Sequence, residues 1–169
     1  MESILDIVNK KADTRVERCY QCGKCASSCP MIKFFDVPPY KIIRLITIGA
    51  KDSALSASAI WLCTSCYACM TRCPNDINIT KVMDALKEIN LQEKAACHEK
   101  DILIFHKIFL GEIARLGRIN EFRFVGKFKI KALKLFQDLA LGLKMFKKGK
   151  FVFKAEKING ISGLRKLIR

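Results

Sequence analysis

The chain has 169 residues, half of them hydrophobic. That is enough for one domain, or two small ones, with a real core, and too apolar for a disordered chain. Its formal net charge of +15 is uneven: residues 1–97 carry 13 Lys/Arg against 10 Asp/Glu, whereas residues 98–169 carry 18 against 6. The start lacks a basic segment followed by an apolar run, and no apolar stretch approaches the roughly 18 residues of a membrane-spanning helix, so a cytoplasmic protein is expected.

Residues 1–18 are polar and charged apart from Ile4 to Val8, which predicts a brief helix. A first cysteine run spans Cys19–Pro30, after which Pro38 and Pro39 break the chain. A helix is expected from Pro39 to Ile48, with Pro39 in its first turn and Gly49 at its exit. Ser53 is expected to cap a second helix, Ala54–Leu62, that leads into the second cysteine run, Cys63–Pro74. Asn78 or Thr80 can start a longer helix to about Lys94, on which Ile79, Val82, Met83, Leu86 and Ile89 recur at helical spacing. Further helices fit Asp101–Leu116, with a stripe of Ile102, Phe105, Phe109, Ile113 and Leu116, and Lys127–Lys147, with Phe128, Leu133, Phe136, Leu143 and Phe146. The end, Phe151–Arg169, reads as mostly extended or irregular. Alternating strands are not evident in the cysteine region, so a mainly α fold is expected. Its two parts are a cysteine-bearing domain at 1–97 and a basic amphipathic extension at 98–169.

Eight of the nine cysteines fall into two identical runs, Cys19-x2-Cys22-x2-Cys25-x3-Cys29-Pro30 and Cys63-x2-Cys66-x2-Cys69-x3-Cys73-Pro74. Steps of three let successive thiolates wrap one cubane from a single tight loop. The fourth cysteine begins the next element, and in two-cluster ferredoxins it ligates the other cluster. The expected ligands are therefore Cys19, Cys22, Cys25 and Cys73 for one [4Fe–4S] cluster, and Cys63, Cys66, Cys69 and Cys29 for a second. Zinc favours two pairs separated by a longer loop, so two zinc knuckles fit this spacing less well. Each oxidised cluster with its four thiolates carries −2, which brings the front of the chain from +3 to about −1 and leaves the back strongly basic.

Gly23 sits inside the first loop where the backbone must pass close to sulfur, and Tyr67 holds the matching position in the second, so the two loops read as inequivalent. Lys24 and Arg72 flank ligands and either offset cluster charge or are solvated. Core packing is the favoured role for Trp61. Cys97 reads as an unligated thiol, and His98 and His106 as lone histidines. With no nucleophile–base pair, phosphate loop or nucleotide motif, the chain shows no substrate site of its own.

The 33 residues between the cysteine runs read as helix, which resembles the α-helical ferredoxin module of fumarate reductases and related enzymes. CYQCGKCASSCP from Cys19, WLCTSCYACMTRCP from Trp61, FHKIFLGEIARLGRINEFR from Phe105, LALGLKMFKKGKFVF from Leu139 and the ending INGISGLRKLIR together resemble the C-type iron–sulfur subunit of heterodisulfide reductase. That resemblance implies a non-catalytic electron-transfer subunit of an oxidoreductase complex in methanogenesis. In that family, the iron–sulfur subunit takes electrons from a flavoprotein subunit. It passes them to the catalytic CCG-domain subunit, which cleaves the mixed disulfide of coenzymes M and B. A hydrogenase or formate dehydrogenase can join such an assembly. The same motifs are compatible with a heterodisulfide-reductase-like sulfur-oxidising complex, or with a membrane-associated quinone or fumarate-type oxidoreductase. The basic extension then reads as a docking element for the catalytic partner. Membrane-surface binding is a lesser reading of it, and nucleic-acid binding rests on charge alone.

Overall fold

The computed structural model describes residues 2–95, 98–132 and six scattered positions beyond them. The backbone divides into two compact units, Met1–Glu99 and Lys100–Arg169. Helices and short 3-10 turns make up the regular structure, and no strand occurs among the described residues.

The first helix of the first unit, α1, spans Ile4–Ala12, longer than the apolar patch predicts. Ser3 and Asp6 form a reciprocal capping box at its N-terminus, and Ile4, Val8 and Ala12 are buried at successive steps of four. The polar Asn9, Lys10 and Lys11 occupy the outer face, which is why the apolar signal stops at Val8. Pro39 opens α3 (Pro39–Thr47), after the single-turn α2 (Lys24–Ser27) in the first cysteine loop. Gly49 follows at φ +76°, the left-handed geometry that glycine adopts without penalty at a helix exit.

The single helix expected over Ala54–Leu62 is two. Lys51–Ser56 forms α4 and Ser58–Leu62 forms α5, separated by Ala57 in an extended conformation. Ser53 lies inside α4 and is not a cap. The break is stabilised from a distance: the N–H groups of Ser58 and Ala59 donate to the two carboxylate oxygens of Asp36, at 2.8 and 3.0 Å. A carboxylate at a helix start satisfies donors that have no partner within the helix and is favoured by the helix dipole. Asp36→Ala is therefore expected to destabilise the first unit by about 1 kcal/mol. Thermal unfolding under anaerobic conditions should show a midpoint a few degrees lower, and an unchanged midpoint would remove Asp36 as the cap.

After the second single-turn helix, α6 (Ala68–Thr71), the long α7 (Ile79–Glu93) organises the unit. Asn78 caps it through its side-chain oxygen, which accepts from the Lys81 N–H at 3.1 Å. The expected stripe of Ile79, Val82, Met83, Leu86 and Ile89 is entirely buried, and α1, α4, α5 and α6 pack around it. The buried Asn90 side chain donates to the Leu55 carbonyl at 2.8 Å, tying α7 to α4. Ion pairs Lys11–Glu88 and Lys51–Glu93, each 2.7 Å, sit on the surface and contribute at most about 1 kcal/mol each.

In the second unit, α8 spans Lys100–Leu116 and α9 spans Glu121–Lys131. The buried side of α8 is Ile108, Glu112 and Leu116, so of the expected stripe only Leu116 is buried, and Phe105 is 40% exposed. Glu112 tolerates burial because it ion-pairs with Lys127 and with Arg123 (3.6 Å) on α9. Phe105, Phe109, Phe124 and Phe128 pack edge-on between the same two helices. Asn120 caps α9, whose start at Glu121 precedes the expected Lys127. The continuation expected to Lys147 lies mostly outside the described residues, as do most of Phe151–Arg169 and Cys97. Ile161 and Gly163 are helical, against the irregular end expected there. No helix among the described residues is long and apolar enough to cross a membrane.

Candidate metal centre

The two cysteine runs fold as near-copies. Cys19 and Cys63 have almost the same backbone angles, φ/ψ −67/120° and −64/119°. Two residues later, Gln21 and Ser65 turn left-handed, at φ 57° and 52°. Gly23 and Tyr67 do the same, at φ 74° and 62°. The helical turns α2 and α6 follow, held by bonds of 3.0 and 3.1 Å to the Gly23 carbonyl and 3.0 and 3.2 Å to the Tyr67 carbonyl. Ser27 and Thr71 each donate a hydroxyl hydrogen bond to the carbonyl three residues back. Gly23 and Tyr67 therefore differ in side chain but not in backbone path. Tyr67 holds a conformation that is costly for an L-residue, by about 1–2 kcal/mol. Such strain persists where the surrounding structure over-determines it, commonly at a functional site.

These left-handed turns curl each loop so that its cysteines line a concavity. Cys19, Cys22 and Cys25 line one cavity, whose wall is completed by Cys73 from the other run, with Tyr40, Ile43, Ile77 and Ile79. Cys63, Cys66 and Cys69 line a second, completed by Cys29, with Met31, Phe35, Thr80 and Met83. Ile79 lines both. The loops also touch directly, since α2 packs on α6 and the Ser28 hydroxyl lies 3.4 Å from the Ala68 carbonyl it donates to.

The thiols are disposed for ligation. All eight are free of disulfides. Cys25 is pushed up to about 11, first by burial and then by the neighbouring Cys19 and Cys69 thiols. Burial also raises Cys29 and Cys69. Cys66 and Cys63, which line the same cavity as Cys29, add to its rise as charged neighbours. Buried thiols stay protonated until a metal displaces the proton, and a metal-bearing core supplies the positive charge that makes four converging thiolates tolerable.

Each cavity gathers three thiols of one run and the fourth of the other over mostly apolar walls. The donor set is all sulfur, the environment apolar and the outer thiols, Cys22 and Cys66, exposed. An iron–sulfur core held partly in apolar surroundings, with one edge reachable by a partner, matches that arrangement.

Lys24 reaches the rim of the first cavity, whereas Arg72 is exposed and lines neither. Trp61 is buried in α5 and lines neither cavity, in keeping with core packing. His106 is exposed, edge-on to Phe105, and His98 is exposed as well. Two residues that touch cysteine sulfurs carry no signal in the cysteine pattern. Gln21 turns its amide onto Cys19, and Thr80 turns its hydroxyl onto Cys69. Gln21 is close in sequence to its cysteine and within reach of a local reading. Thr80, eleven residues from Cys69, is not.

Residues 15–77 match the family model described as a 4Fe-4S dicluster domain. The front of this chain is thus a ferredoxin-type iron–sulfur module that holds two [4Fe–4S] clusters, in an all-helical frame. The chain is 38% identical over 87 residues to the C 2 iron-sulfur subunit of the CoB–CoM heterodisulfide reductase of Methanocaldococcus jannaschii, a match covering 50% of this chain and 46% of that one. It is 33% identical over 93 residues to the C2 subunit of the H(2)/formate:CoB-CoM heterodisulfide,ferredoxin reductase of Methanococcus maripaludis, covering 55% and 50%. It is 41% identical over 68 residues to the C subunit of the H(2):CoB-CoM heterodisulfide,ferredoxin reductase of Methanothermobacter thermautotrophicus, covering 40% and 37%. The chain therefore spans half or less of the length of these curated relatives, and over that part it resembles the C-type iron–sulfur subunit of heterodisulfide reductases.

Proposed function

We propose that the protein is the electron-relay subunit of a heterodisulfide reductase complex. One cluster is held by Cys19, Cys22, Cys25 and Cys73, the other by Cys63, Cys66, Cys69 and Cys29. The observation that supports this assignment is the lining of each cavity by three thiols of one run and the fourth of the other. Bound there, each cluster supplies a one-electron couple. The chain's own contribution is to hold the two close together, exclude water with Ile43, Ile79 and Met83, and leave Cys22 and Cys66 at the surface.

Electrons enter from a flavoprotein partner and leave to a catalytic partner that reduces the heterodisulfide of coenzymes M and B. A hydrogenase or formate dehydrogenase feeds the assembly in the cytoplasm. The chain itself performs no bond chemistry. Residues 1–97 form the cluster domain, and residues 98–169 dock onto the catalytic partner. The exposed Phe105, Leu110, Phe122, Val125 and Ile130 on α8 and α9 support a covering protein, and the excess of basic residues supports an acidic one.

Anaerobic co-expression of the full chain, or of a chain ending at Glu99, with the flavoprotein and catalytic subunits of its host tests this reading. The full chain is expected to retain the catalytic partner on affinity purification and the shortened one to lose it, with iron content near eight per chain in both. Equal retention of that partner by the two chains would end the docking role of residues 98–169.

A further inference from the structure

Each cavity receives a hydrogen bond to a cysteine sulfur from one side chain, and the two side chains come from different parts of the fold. In the first cavity, the Gln21 amide Nε2 lies 3.3 Å from Cys19 Sγ and donates to it. In the second, Thr80 Oγ1 lies 3.8 Å from Cys69 Sγ. Thr80 is 1% exposed, so its hydroxyl has no water to turn to, and the Cys69 sulfur is the contact it makes. Between two neutral groups either could donate. A thiolate bonded to iron has no proton, so with the cluster in place the hydroxyl must be the donor.

The near-identity of the loops makes these two contacts informative. Ser65, the counterpart of Gln21, is too short to reach back as the glutamine does. Cys25, the counterpart of Cys69, has its backbone contact from Ala26 much as Cys69 has its contact from Met70, but no hydroxyl corresponding to Thr80. Where the backbones repeat, the side-chain donors therefore do not. One is local, in the loop itself, and the other is brought in by α7.

We propose that Gln21 and Thr80 are positioning residues that set the potentials of the two clusters separately. Gln21 acts on the cluster of the first cavity and Thr80 on that of the second. The inference rests on the ligand assignment proposed above. A one-electron reduction adds a negative charge to the core and its thiolates, with the electron supplied by the redox partner. A donor hydrogen bond to a ligand sulfur favours the more negative state and so raises the potential. The chain thereby gains two side-chain adjustments, beside the backbone bond of 3.4 Å from the Ile77 N–H to Cys73 Sγ in the first cavity.

Redox titration of the anaerobically purified protein, monitored by electron paramagnetic resonance, tests this in wild type, Gln21→Leu, Thr80→Val and Thr80→Ser. Wild type with about eight irons per chain and two reducible clusters establishes that both clusters are loaded, independently of the proposal. Gln21→Leu is expected to shift one cluster to a more negative potential and Thr80→Val the other, with Thr80→Ser close to wild type. Resonance Raman spectra of the wild-type protein offer a check that needs no variant. Exchange into D2O is expected to shift Fe–S(Cys) stretches, and Thr80→Val to abolish part of that shift at full iron content. Unmoved potentials in fully loaded Gln21→Leu and Thr80→Val would overturn the proposal. So would both variants moving the same cluster, or an absent D2O shift in wild type.

Discussion

Cys29→Ala and Cys63→Ala proteins are expected to lose the same cluster, and Cys25→Ala and Cys73→Ala the other. Sequence neighbours would thus behave differently, and cysteines 34 and 48 residues apart in the chain would behave alike. The cause is the cavity lining: Cys29 stands with Cys63, Cys66 and Cys69, and Cys73 with Cys19, Cys22 and Cys25. A cubane that loses one of four thiolates loses a quarter of its protein bonds and is exposed on that side. Iron content is expected to fall from about eight per chain toward about four in each variant. The measurement is iron analysis together with the spectrum of the cluster that remains. If Cys29→Ala left the same residual spectrum as Cys25→Ala, each run would hold its own cluster, and the crossed arrangement would be wrong.

The second large effect is expected at Leu86. It is fully buried at the middle of α7, among the residues that α1, α4, α5 and α6 pack against. Leu86→Ala removes three carbons from that core and leaves a void the surrounding helices cannot fully close, which costs about 2–5 kcal/mol. Leu91 on the same helix is 49% exposed. Leu91→Ala is expected to change stability by no more than about 0.5 kcal/mol. Anaerobic denaturant unfolding of the two variants, followed by the helical signal and by cluster absorbance, compares them directly. A Leu86→Ala protein as stable as Leu91→Ala would show that α7 is not the organising helix.

What can be read from the sequence is governed by range. Cys-x2-Cys-x2-Cys-x3-Cys is a local pattern, and local backbone geometry produces the curled loops, so the metal-binding character is plain from the residues alone. The same holds for Pro39 at a helix start, Gly49 at its exit and the buried stripe of α7. The departures from expectation share a cause. Ala57 breaks a helix because Asp36, more than twenty residues away, offers a better partner to the next two N–H groups. Glu112 is buried because Arg123 and Lys127 come to it from another helix, which moves the inner face of α8 off the expected stripe. Tyr67 reads as unlike Gly23 because side-chain preference points away from a left-handed backbone. The loop imposes that backbone regardless.

The wall shared by the two cavities has a consequence for how the protein is made. Ile79 belongs to both, and the first cavity also needs Cys73. A nascent chain that has emerged only as far as the first cysteine run has four of the eight thiols, but neither Cys73 nor Ile77 and Ile79 of the wall around the first cavity. Under the proposed crossed ligation, neither cluster has its four thiols and the wall shared through Ile79 until translation has carried the start of α7 clear of the ribosome. Insertion of iron and sulfide is then a late event that closes the front unit, and a ribosome stalled before residue 73 would present an assembly factor with an incomplete socket.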